Sequence, residues 1–186
     1  MAIHHLSLVA TPAPCPTVAT GGECLDAFQR EFDYLCRTLR RLGTSETEVE
    51  DLAHDVFLVL HRNWAELDAS RPLRPYLFGI AFRVVASHRR RIKERPSANV
   101  EIEDVAPGPD EALQAKQARA LVLSALARIP LPRRAVLLMH DIDEVPMQDI
   151  ASELAIPLFT AYSRLRKARK ELERAVRKLR KEMSEC

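Results

Sequence analysis

Six apolar residues, Val49, Leu52, Ala53, Val56, Phe57 and Leu60, recur at three- and four-residue spacing without a miss. That period lines one face of an α-helix and cannot alternate across a strand. Ser45 and Glu48 stand ahead of the run as a capping box, so both the start and the buried face of a helix are written here. The same period governs the flanking segments. Phe28, Phe32, Leu35, Cys36, Leu39 and Leu42 follow Leu25, and Gly43 supplies a stop. Leu77, Ile80, Ala81, Val84 and Val85 mark a third helix from Tyr76 to about Lys93. Aromatics are few while Ala, Leu, Glu and Arg are many, and no strand-like alternation occurs, so the expected fold is all-α.

Two small helical domains account best for the 186 residues. Residues 1–24, with three prolines and paired glycines, are expected to be a disordered tail. The first domain spans 25–95, with a loop over 63–75 imposed by Pro72 and Pro75. An acidic, proline-containing linker, PSANVEIEDVAPGPD, fills 96–110, and the second domain spans 111–182. Asp110 is placed as the N-cap of a helix with Ala118, Leu121, Val122, Ala125, Leu126 and Ile129 inside, ended by Pro130 and Pro132. A short helix, RRAVLLMHD, comes next. After the turn DIDEV, Pro146 opens a helix through Leu154, AIP breaks it, and a last helix begins near Leu158.

The net charge of +2 hides alternating blocks. Residues 1–70 hold 5 Lys+Arg against 11 Asp+Glu, and residues 71–95 hold 8 against 1. Residues 96–156 hold 5 against 10, and residues 157–186 hold 10 against 4. Each domain thus pairs one polyanion-facing surface with one acidic surface. Cys15, Cys24, Cys36 and Cys186 show no metal-ligand spacing, so neither a metal nor another cofactor is expected, and reduced thiols suit a cytoplasmic protein. The amino-terminal segment lacks a basic opening, and no apolar stretch approaches membrane-span length. No phosphate loop, nucleophile elbow or metal cluster is present, which argues against an enzyme. His54 and Asp55 are adjacent on a helix and diverge by about 100°, so they do not form a metal dyad.

The segment VPMQDIASELAIPLFTAYSRLRKARKEL reads as a helix-turn-helix. Ile150, Ala151 and Leu154 face inward from one helix and Leu158, Ala161 and Leu165 from the next, with Ala151 permitting close backbone approach. Tyr162, Ser163, Arg166 and Lys167 then point outward near the head of the second helix, where base edges of the major groove can be reached. Arg164, Arg169 and Lys170 are better placed for phosphates.

These residues carry a resemblance to the extracytoplasmic-function sigma factors, two-domain promoter-recognition subunits of the sigma-70 superfamily. IASELAIPLFTAYSRLRKARKEL, with Ser163–Leu165 and Ala168–Arg169, resembles the family's region 4, and LARIPLPRRAVLLMHD resembles the segment before it. VEDLAHDVFLVLHR and RPYLFGIAFRVVASHRRR resemble region 2. Phe159 replaces a common Gly, Tyr162 a frequent basic residue, and Arg83 and Ser87 stand where Asn and Asp are frequent.

The resemblance implies roles. Thr160, with Tyr162, Ser163, Arg164, Arg166, Lys167 and Arg169, would contact the double-stranded minus-thirty-five element. Arg71, Arg74, Tyr76, Arg83, Arg90 and Arg91 would bind and melt the minus-ten element, with Trp64, Phe78 and Phe82 nearby as stacking or core residues. A base pocket is implied in the loop over 66–75. Asp51, His54, Asp55 and His61 would dock on the clamp helices of core RNA polymerase, an acidic face against a basic one; the polymerase flap and an anti-sigma factor are further implied partners. Two other readings stand beside it: a stand-alone helix-turn-helix regulator, and a sigma-like decoy for an anti-sigma factor.

Overall fold

The computed structural model describes residues 21–68, 70–94 and 110–184. Helices α1 (Gly21–Leu42), α2 (Val49–Asn63) and α3 (Leu73–Glu94) pack on one another as the first domain. Helices α4 (Asp110–Ala127), α5 (Leu131–Asp141), α6 (Met147–Glu153) and α7 (Leu158–Ser184) form the second, with α7 as the spine touching the other three. The described residues contain no strand.

Local chemistry sets the boundaries. At the end of α1, Gly43 adopts φ +87°, its N–H donates to the Arg40 carbonyl at 2.9 Å, and Thr44 N–H donates to the Leu39 carbonyl at 3.3 Å. This paired closure is a Schellman motif, and a left-handed residue at its corner favours glycine. The Ser45 N–H then donates to the Glu48 carboxylate at 3.0 Å across a 3₁₀ turn that leads into α2. Val49, Leu52, Ala53, Val56 and Leu60 are all buried, while Phe57 is half-buried and meets the Phe28 ring at 4.9 Å between centroids.

Several expectations shift. Helix α1 starts at Gly21, inside the stretch expected to be tail, and Cys24 is buried. Leu25 and Phe32, assigned to the inner stripe, are 43% and 39% exposed because they fall at its edge. Helix α3 starts at Leu73 rather than Tyr76; Pro75 sits in the first turn, where no intrahelical N–H partner exists to be lost. For the same reason Pro132 opens α5 instead of closing α4, and Pro146 caps α6 from outside. On α4, Ala118 and Val122 are exposed, and burial is carried by Ala125 and Leu126 with Ile129 just beyond the helix. The expected linker lies outside the described residues apart from Asp110, which opens α4.

The two domains close on each other, α1 and α3 against α4, α5 and α6, and their cores merge into a single apolar cluster. At this seam Arg134 of α5, 2% exposed, donates to the Leu42 carbonyl at 2.7 Å across the domain boundary. Its other terminal nitrogen donates to the carbonyls of Ala127 at 2.7 Å and Ile129 at 2.9 Å. Arg89 of α3 donates to Leu42 and Gly43 carbonyls at 2.7 and 2.9 Å. Two guanidiniums thus share the negative end of the α1 dipole, which offsets their mutual repulsion. Burial, then the nearby charge of Arg89, lowers the pKa of Arg134 to about 10.

Candidate nucleic-acid interface

Helix α6 ends in a second Schellman closure. Ala155 N–H donates to the Ser152 carbonyl at 3.1 Å and Ile156 N–H to the Ala151 carbonyl at 2.9 Å, with Ala155 at φ +50°. The chain reverses there and α7 begins. Ile150, Ala151 and Leu154 are buried with Ala161, Leu165 and Ala168 of α7 in the shared core. Leu158, expected inside, is 40% exposed, and the inner face of α7 runs instead from Ala161 through Leu165, Ala168 and the half-buried Leu172 to Ala175.

At about 100° per residue, Phe159, Tyr162, Ser163 and Arg166 fall on one line of α7, opposite that inner face. Phe159 is 85% exposed and Tyr162 55%. Arg166 and Lys167 are exposed, with no hydrogen-bond or ion-pair partner among the described residues. Thr160, Ser163 and Arg164 are half-buried along a groove that α7 shares with Pro130 and Arg133. Arg169 is exposed but committed: it donates to both oxygens of Asp141, at 2.9 and 2.6 Å, and holds that carboxyl below its usual range.

On the first domain Arg71, Arg74, Arg83, Arg90 and Arg91 are all exposed and Tyr76 is half-buried. Phe78 is 1% exposed and belongs to the core, so it is removed from the candidate stacking residues; Trp64 and Phe82 are half-buried against that core. Three of the arginines face partners on other helices, and Arg91 reaches Ser87 of its own helix at 3.5 Å. Arg83 donates to the Glu153 carbonyl at 3.1 Å and Arg71 lies 3.9 Å from the Glu153 carboxylate, so α6 covers part of the expected melting surface. Arg74 pairs with Glu31 at 2.8 Å and lies over the Tyr34 ring at 5.1 Å. Arg90 and Arg91 stand about two turns further along α3, away from that contact.

A cleft of about 660 Å³ lies between the domains, walled by Asp68, Arg71 and Tyr76 on one side and Asp143, Glu144 and Asp149 on the other. At its edge the Tyr34 hydroxyl donates to Asp143 at 2.6 Å. Burial raises the Asp143 carboxyl above its usual range despite that bond, and burial with the neighbouring carboxylate raises the Tyr34 phenol. Asp51, His54, Asp55 and His61 are exposed on α2 opposite its buried stripe, the His61 ring lying 5.8 Å from that of Phe57. Among the described residues no group of three His, Cys, Asp or Glu side chains could hold a metal.

Sequence reasoning did not single out Tyr34, Arg89, Arg134, Asp143 or Glu153. Their roles come from contacts between residues 47 to 109 positions apart. The one sequence signal was a charged residue, Arg134, set directly before the apolar run of α5.

Comparison with known proteins places these two surfaces in a family. Residues 27–95 match the model of Sigma-70 region 2, and residues 113–172 match Sigma-70, region 4. The chain is 29% identical over 147 residues to the extracytoplasmic-function RNA polymerase sigma factor SigM of Mycobacterium tuberculosis, covering 79% of this chain and 74% of that protein. It is 24% identical over 169 residues to SigW of Bacillus subtilis, covering 84% and 89%. The fold superposes on CnrH, solved with the cytosolic domain of CnrY, at TM-score 0.59 and 21% identity, covering 83% of this chain and 88% of that one. It superposes on the sigma factor RpoE of Bartonella quintana, solved with the anti-sigma factor NepR, at TM-score 0.58 and 18% identity, covering 82% and 98%. Basic surfaces on both domains, an exposed acidic helix face and matches to both regions in order have one explanation: the chain belongs to the sigma-70 family, as an extracytoplasmic-function sigma factor.

Proposed function

We infer that this protein is an alternative sigma factor that binds core RNA polymerase and directs promoter-specific transcription initiation. The observation that carries this reading is the outward line of α7 joined in one chain to the arginine-rich α3 and the exposed acidic face of α2. Thr160, Tyr162, Ser163, Arg164, Arg166 and Lys167 serve the upstream duplex element. Arg169 joins them once it leaves Asp141. Arg71, Arg74, Tyr76, Arg83, Arg90 and Arg91 serve the separated minus-ten strand, their charges holding phosphates while bases stack. Asp51, His54, Asp55 and His61 dock on the polymerase clamp helices.

The protein performs no chemistry of its own; the polymerase does, in the cytoplasm, and this subunit supplies the address. The first domain, which opens with α1 at Gly21 and runs to residue 95, serves for docking and melting, and the second, from Asp110 to residue 182, serves the upstream element. An anti-sigma factor as regulatory partner is supported by the sealed seam, where Glu153 occupies Arg71 and Arg83, and by the solved relative RpoE, which carries one.

Run-off transcription with core polymerase on genomic fragments tests the reading. Start-site-specific transcripts are expected only when the protein is added. Their absence with folded protein would leave the decoy, while tight duplex binding without polymerase would favour the stand-alone regulator.

A further inference from the structure

Phe159 is the most exposed of the large apolar side chains in the described residues, at 85%, and it stands at the head of α7. A phenyl ring so placed, at the rim of the groove that Pro130 and Pro132 line, gains little from the fold. It lies one turn before Tyr162, also exposed, on the line that carries Ser163 and Arg166. Cations flank this line: Arg164 and Lys167 on one side, Arg169 on the other. A helix that enters the major groove with such flanks meets phosphates at its edges and base edges along its centre. The ring has no donor or acceptor, so amide, carbonyl and ring-nitrogen edges offer it nothing. The thymine C5-methyl is the apolar group that the major groove displays, and an aromatic side chain is a suitable contact for it.

We propose that Phe159 is a specificity-determining residue that reads a thymine methyl group in the upstream promoter element, with Tyr162 covering the adjacent base pair. The inference rests on the reading of α7 as the upstream-element helix. An aromatic at this position makes preference depend on a methyl group instead of a hydrogen bond. The contact excludes water from the methyl, whose burial corresponds to roughly a fourfold change in affinity.

The test uses holoenzyme assembled from core polymerase and the full chain. A duplex library randomised over the upstream element is enriched for binding. Each thymine of the winning duplex is then replaced singly by deoxyuridine, which removes the methyl and leaves every hydrogen-bonding edge intact. At one position wild-type affinity is expected to fall about three- to fivefold, and the Phe159→Ala holoenzyme is expected to bind thymine and deoxyuridine duplexes equally. Cytosine placed there should gain from 5-methylation with the wild type only.

Indifference of the wild type to every deoxyuridine substitution would overturn the proposal, as would an undiminished methyl effect in Phe159→Ala. Weaker assembly of Phe159→Ala with core in the absence of DNA would reassign the ring to a protein partner. If the upstream reading of α7 itself is wrong, no upstream sequence enriches and Arg166→Ala with Lys167→Ala leaves DNA binding unchanged. That pattern differs from enrichment without methyl dependence.

Discussion

Arg169 shows how one contact can withhold a residue from its site. Its guanidinium is bidentate on Asp141, and the pair is partly exposed, so the contact is of modest strength and DNA phosphate competes with it. Asp141→Asn should free Arg169 for phosphate and steepen the dependence of log affinity on log salt by about one unit, read by titrating holoenzyme with promoter duplex at several salt concentrations. An unchanged slope would place Arg169 off the DNA. Gly43 is the second residue whose context decides its worth. A Cβ there would add left-handed strain and press on the guanidiniums of Arg134 and Arg89. Gly43→Ala should cost about 1–3 kcal/mol in thermal or urea unfolding.

At the scale of elements, the turn between α6 and α7 carries avoidable strain. Ala155 holds φ +50° at the corner of a Schellman closure, where a Cβ is unfavourable. Ala155→Gly should stabilise the protein by about 0.5–1 kcal/mol, seen as a raised Tm, with upstream DNA affinity retained. Helix α2 presents its acidic residues on a face that no described residue covers. Reversal of charge at Asp51 and Asp55 should weaken binding to core polymerase at least about tenfold while leaving Tm unchanged, since neither side chain contributes to the buried stripe. Affinity that did not move in a fluorescence anisotropy titration would remove α2 as the docking face.

For the whole molecule the seam between domains is the controlling feature. Arg71 and Arg83, proposed for the minus-ten strand, engage Glu153 of the helix-turn-helix, while Tyr34 engages Asp143 beside the same cleft. On the proposed minus-ten role of α3, a protein closed in this way parts its domains before that helix binds a separated strand. Tyr34→Phe leaves the Asp143 carboxyl half-buried without its hydroxyl donor and should shift the equilibrium toward separated domains, seen as a larger radius of gyration in X-ray scattering. The pH dependence has a definite sign. Burial raises the Asp143 carboxyl in the closed form, with Tyr34, Arg41 and Arg74 opposing that rise, so the closed form holds the proton more tightly than the open one. Its contribution to closure is complete below the ordinary carboxylate range and declines as pH rises through the raised value. Mild acid should therefore compact the protein, and Asp143→Asn should abolish that response.

Much of this protein was determined by sequence alone. Apolar period, capping residues and prolines specify helices, and these act within a few residues of one another, so α2, the helix-turn-helix and both charged faces were legible along the chain. The family motifs added the roles proposed for Arg166, Lys167, Asp51 and Asp55. Single-residue boundaries were less legible where a proline could end one helix or open the next, as at Pro132, because both uses satisfy the same missing N–H. Burial of Phe78, exposure of Leu158, and the bonds of Arg134 to Leu42 and of Arg83 to Glu153 depend on how two domains meet. That meeting was decided only in the tertiary structure, because desolvation and hydrogen bonding between distant residues leave no periodic trace in the chain.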